Sequence, residues 1–223
     1  MPNLILSVLN GMNEGMARCV AERGPREGDR RGTKYGDPIE ECRRAESRRA
    51  LDMLIKGYSE GSGERFGRIQ GHLRDLEDAL RRTRLKYVRV DMITRSKLVL
   101  GWSPLYFISE VPLAWDMILD TFYIPASTVK GILKSALRTA GSGCEKELMG
   151  DKGFVGGIAA FDAYPVEARG RALTLDVLTP HYRPNVSNEY EVEPIPVVHA
   201  VVSPGVRFRT FLAYDGKRIR GCD

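Results

Sequence analysis

A chain of 223 residues with 43% apolar and 28% charged residues has the make-up of one large globular domain or two small ones, not of a disordered tail or a membrane bundle. Its formal charge is +5, and the excess sits mostly in the first part: residues 1–86 carry 18 Lys and Arg against 14 Asp and Glu. That balance permits an anionic partner without requiring one.

No apolar run reaches the length of a membrane span. Leu4–Leu9 is short and lacks a basic leader, so it does not read as a signal peptide. The four cysteines, Cys19, Cys42, Cys144 and Cys222, are scattered. They show neither metal-ligand spacing nor a dense disulfide framework, which predicts reduced thiols in a cytoplasmic protein. The histidines, His72, His181 and His199, are equally dispersed. No metal site, cofactor site or membrane contact is expected.

The first element is a helix from Asn3 to about Glu22, interrupted in pattern by Gly11 and Gly15. Residues 23–37 are polar and Gly-rich and read as a loop. Asp37 as cap, Pro38 at the first helical position and Glu40 three residues on predict a helix to about Lys56, stopped by Gly57. Another helix covers Glu64 to Arg84, with Phe66, Ile69, Leu73, Leu76 and Leu80 forming a narrow seam. After Lys86 the period changes from helical to alternating, and Lys86–Ile93 reads as a half-buried strand. The chain therefore divides into a mainly helical region, 1–86, and a sheet-bearing region, 87–223.

Leu105–Val111 and Ile118–Ile124 are expected as short strands. Pro125 then stops the extended run and Ser127 is the expected N-cap of a helix. Val129, Ile132, Leu133, Ala136 and Leu137 form its apolar stripe, and Lys130, Lys134 and Arg138 a basic stripe beside it. A helix start offers unpaired amides and partial positive charge, which suits a phosphate. The same residues also describe a plain amphipathic helix with a solvated basic face. Further strands are expected at Gly157–Pro165, Ala172–Tyr182, Ile195–Val202 and Val206–Tyr214, the last two joined by the turn Ser203-Pro204-Gly205. The class is α+β, an antiparallel sheet with few helices on one face.

Tyr123–Arg138 resembles the strand–turn–helix signature of the RAMP proteins of CRISPR systems, I-P-G/A-S-S/T-x-K-G, with Lys130 and Gly131 in place. Gly157–Pro165, Leu175–Tyr182 and Pro194–Phe211 are similar to three further blocks. Their order is similar to that of the sixth-subunit family of the type III-B (Cmr) effector. The resemblance implies a ferredoxin-like, RNA-recognition-type antiparallel sheet with an N-terminal helical extension. It implies a non-catalytic subunit at the end of the backbone, near the 3′ part of the crRNA. Its partners would be crRNA and target RNA, the backbone RAMP, the second capping RAMP and the small helical subunit. Such proteins usually continue into a further helix and a glycine-rich loop. This chain stops at Asp223, so the C-terminal part of that fold is expected to be incomplete.

The residues expected to meet RNA are Ser127, Thr128, Lys130, Lys134 and Arg138, followed by Arg95, Lys97 and His181. Phosphate contact is expected rather than base reading, because a guide-bound complex must accept many sequences. The rival reading is a metal-dependent endoribonuclease of the RAMP type, for which Asp176, His181 and Tyr182 are the nearest acid/base candidates. A third reading is a purely structural cap.

Overall fold

The computed structural model describes residues 3–23, 38–101, 108–179, 196–216 and 219. The chain folds into two compact units, each assembled from three segments. One comprises 1–61, 97–120 and 171–203, and the other comprises 62–96, 121–170 and 204–223.

The first unit is built on two long helices, α1 (Leu4–Arg23) and α2 (Pro38–Glu60). Ile5, Val8 and Met12 of α1 are buried, as are Ala50, Leu51, Leu54 and Tyr58 of α2. Gly15 does not break α1. A Cβ there would collide with the carboxylate of Glu46, so the glycine marks a close approach of the two helices. Gly57 likewise does not end α2, which runs three residues further. Its missing side chain makes room for Leu4. The start of α1 is capped from far along the chain: Asp120 accepts from the amides of Leu4 (2.8 Å) and Ile5 (3.3 Å). Asp120 is buried and holds a positive φ of 53°, a conformation that this capping role keeps in place.

A disulfide joins Cys19 of α1 to Cys42 of α2, with 5.8 Å between the α-carbons. Cys144 is also disulfide-bonded. This corrects the expectation of reduced thiols. The sequence spacing carried no framework because the pairing is created by two helices packed side by side, not by local spacing.

The unit's other layer is the pair β6 (Leu173–Leu178) and β7 (Val197–Val202), antiparallel with Asp176 opposite His199. Leu98 bridges to Val202 at its edge. Trp115, in the short strand β2 (Trp115–Asp116), meets Tyr58 edge to face at 5.8 Å.

The second unit carries the helix α3 (Ser62–Arg81), the strand β1 (Lys86–Ile93), the two-residue β3 (Thr121–Phe122), the helix α4 (Ala126–Thr139) and the short α5 (Glu145–Met149). Strands β4 (Ile158–Ala160), β5 (Tyr164–Ala168) and β8 (Val206–Tyr214) complete it. β8 is central. It pairs antiparallel with β1 on one side and with β4 and β5 on the other. The order β1–β8–β4/β5, with α4 between β1 and β4 in sequence, is the opening β-α-β-β of a ferredoxin-like sheet. Phe208, Phe211 and Phe122 are buried in its core, and Ile69, Leu73 and Leu80 bury the α3 seam.

Three strand expectations change. Of Ile118–Ile124, only Thr121–Phe122 forms a strand. The run 157–165 is split in two, and Pro165 lies inside β5 rather than ending it, beside a register shift before Glu167. Residues 108–111 form no strand, while 105–107 lie outside the described residues. Among the described residues, no helix is long and apolar enough to cross a membrane.

Candidate nucleic-acid interface

α4 begins at Ala126 with Pro125 as its cap residue, whose φ of −56° and ψ of 142° are those of an extended approach. Ser127 is therefore the second helical residue and makes no cap, against the sequence expectation. The cap comes instead from Asp162, whose carboxylate accepts the Ala126 amide at 2.6 Å. The amides of Thr128 (2.8 Å) and Val129 (3.1 Å) return to the Pro125 carbonyl. What remains at the helix start is the amide of Ser127, the hydroxyls of Ser127 and Thr128, and the ammonium of Lys130. Among the described residues, none of them has a hydrogen-bond or ion-pair partner. Ser127 and Thr128 are exposed and Lys130 is half-buried. The group can donate four ways to an anion, and the neighbouring Asp162 charge sets a limit on how strongly.

The rest of the basic stripe is internally neutralised. Glu145 takes Arg138 at 2.8 Å and Lys134 at 3.4 Å. The hydrogen bond from Arg138, reinforced by Lys134, holds the Glu145 carboxyl below its usual range. Of the three cations read from the sequence as one stripe, only Lys130 stands without a carboxylate among the described residues. The apolar stripe is thinly covered: Val129 is buried, whereas Ile132 is 56% exposed.

Arg95 lies just past β1, exposed and without a partner among the described residues. Lys97 belongs to the other unit and is bound to Asp176 at 2.9 Å, which lowers the Asp176 carboxyl. Asp176 is thus an ion-pair partner on β6, facing the register position of the buried His199. His181 and Tyr182 lie outside the described residues. Among the described residues no group of three His, Cys, Asp or Glu is placed to hold a metal ion.

Sequence reasoning missed Asp162 as the cap and Glu145 as the counterion. Asp162 stood before Tyr164-Pro165 in a run read as one continuous strand. Glu145 lies seven residues beyond Arg138, outside any single-helix spacing rule.

A family model described as the RAMP superfamily matches residues 103–220. The chain is similar to the CRISPR system CMR subunit Cmr6 of Saccharolobus solfataricus, with 28% identity over 170 residues. That alignment covers 75% of this chain and 58% of the relative, so the chain spans somewhat over half of that protein's length. In fold it is similar to a chain in the cryo-EM structure of the type III-B Cmr-beta bound to cognate target RNA. The TM-score is 0.72 and the identity 24%, over 97% of this chain and 80% of the other. The crystal structure of Cmr6 from Pyrococcus furiosus overlaps less, with a TM-score of 0.36 and 19% identity over 60% of this chain and 85% of that one.

Proposed function

The chain belongs to the RAMP superfamily, and from that membership we propose that it is a non-catalytic, RNA-binding subunit of a type III-B CRISPR (Cmr) effector. Its place is at the end of the RNA-bound backbone, near the 3′ part of the crRNA. Its partners there are the guide, the target RNA, the backbone RAMP, the second capping RAMP and the small helical subunit. Its compartment is the cytoplasm.

The observation that carries this reading is a coincidence of two things. The residues matched by the family model include the start of α4. At that start Ser127, Thr128 and Lys130 present donors that no other described group uses. Such a set contacts phosphate and sugar, which fixes a strand without reading its sequence. Similarity to Cmr6 and to a chain of an RNA-bound Cmr assembly supports the same reading.

The test is RNA retention by the double variant Lys130→Ala with Lys134→Ala, measured against salt. Removing one phosphate contact lowers the slope of log K against log salt by about 0.7 for a single strand. A folded double variant is expected to show about one such step, because Glu145 already holds Lys134. A slope equal to that of the parent chain argues against the α4 start as a phosphate contact.

A further inference from the structure

A run of cations without ion-pair partners among the described residues lies where α3 turns into β1. Between Ala79 and Val90 the sequence holds Arg81, Arg82, Arg84, Lys86 and Arg89 and not one carboxylate. Arg81 is spoken for: it pairs with Glu77 at 3.2 Å and Asp78 at 3.8 Å and donates to the Tyr87 hydroxyl at 3.1 Å. Arg89 lies near Asp91, whose carboxyl its charge helps to lower. Arg82, Arg84 and Lys86 are exposed and have no ion pair or side-chain hydrogen bond among the described residues.

The backbone beneath them is fixed. The Thr83 hydroxyl donates to the Leu80 carbonyl at 2.7 Å and accepts from the Leu85 amide at 3.2 Å. The amides of Arg82 and Thr83 return to Ala79 and Leu80 at 3.1 and 3.0 Å. From Lys86 onward β1 is paired to β8, beginning with Lys86 opposite Tyr214. Three cations therefore project from a short, hydrogen-bonded turn and the first residue of a paired strand. That differs from the α4 stripe, where two of three charges have an internal counterion.

We propose that the α3–β1 turn is a second contact for a single-stranded RNA backbone, held by Arg82, Arg84 and Lys86. The inference rests on the RNA-binding reading above and adds to it a site on a different element. Like charges close together in sequence, none ion-paired among the described residues, repel one another, and a regular polyanion relieves that repulsion along its length. Arginines take phosphate oxygens two at a time, and Lys86 adds a point charge.

The experiment compares the parent chain with Arg82→Ala/Arg84→Ala/Lys86→Ala in binding a fluorescein-labelled RNA of about 40 nucleotides and mixed sequence, by polarisation over a series of KCl concentrations. Removing three phosphate contacts is expected to lower the salt slope by about 2 and to weaken binding by at least about tenfold at low salt. The charge-conserving variant Arg82→Lys/Arg84→Lys is expected to keep the parent slope, and its far-UV spectrum and melting temperature report that the turn is intact. A folded triple variant with the parent slope, beside a parent chain that binds RNA, overturns this site alone. A parent chain that binds no RNA removes both readings. Loss of binding to polyglutamate with RNA binding unchanged assigns the turn to an acidic protein and overturns the RNA contact.

Discussion

The Asp162 carboxylate accepts the Ala126 amide at the start of α4, at 2.6 Å and from 36 residues away. The best anion position on α4 thus already has a negative charge built into it. Any RNA phosphate at Ser127 and Lys130 sits beside that charge, which weakens the contact by an amount one substitution can measure.

Asp162→Asn keeps an acceptor for Ala126 and removes the charge. A unit charge a few ångström from a phosphate is worth about 1 kcal/mol in water. RNA affinity is therefore expected to rise about fivefold, read by polarisation, with little change in melting temperature. Asp162→Ala removes the cap as well and is expected to cost about 1 kcal/mol of stability. Identical RNA affinity in the parent and the Asn variant places the phosphate away from this helix start.

Asp91 and Arg209 form a two-bond pair across β1 and β8, at 2.7 and 2.8 Å. The pairing holds the Asp91 carboxyl below its usual value. A lowered carboxyl contributes stability above its unfolded pKa of about 3.9 and loses it as pH falls through the folded value. Both side chains are about a quarter to a third exposed, so solvent screening keeps the effect modest. Asp91→Asn is expected to cost about 0.5–1 kcal/mol at pH 7 and less at about pH 3, as the pH falls below the unfolded value. Denaturant titrations of both proteins at the two pH values check this.

Gly156 lies against backbone: a Cβ there would come within van der Waals overlap of the Gly150 amide nitrogen and the Leu148 carbonyl oxygen. Backbone has no side-chain rotamer with which to yield. Gly156→Ala is expected to destabilise the second unit by about 1–3 kcal/mol. Gly131→Ala, on α4 with open space at its Cβ, is expected to be neutral or slightly stabilising. Equal melting temperatures for these two variants contradict the packing described around Gly150 and Gly156.

The Cys19–Cys42 bond closes a loop with a sequence separation of 23. Closing a loop of that size restricts the unfolded chain by about 3 kcal/mol. Cys19→Ser/Cys42→Ser is expected to lower the melting temperature, and a reducing agent is expected to leave that variant unaffected at this position. Mass spectrometry after alkylation reads the bond directly, and full alkylation of Cys19 and Cys42 without prior reduction refutes it.

The periodic elements were legible because their physics is local. Lys86–Ile93 and Val206–Tyr214 alternate, and β1 and β8 span those residues. The seam of Ile69, Leu73 and Leu80 is the buried side of α3. The capping and close-approach details were not legible, because they are made by residues distant in sequence. Gly15 and Gly57 looked like breaks and are points of close approach; Ser127 looked like a cap, and Asp162 takes that role. At the candidate site, the sequence placed Ser127, Thr128 and Lys130 together in the first turn of a helix, where α4 has them. The silencing of Lys134 and Arg138 by Glu145 was not legible, since it depends on how α5 returns toward α4.

The centrality of β8 has a consequence in time. Its partner β1 is laid down early, yet Asp91 and Arg209 are 118 residues apart. During synthesis β1 must wait, with its backbone edge unpaired, until the ribosome has delivered β8. Long-range pairing of this kind folds slowly and leaves sticky strands uncovered meanwhile. Yield in the cell is then governed by how long that interval lasts, and chaperone supply or a lower growth temperature becomes a lever on how much of the protein is recovered intact.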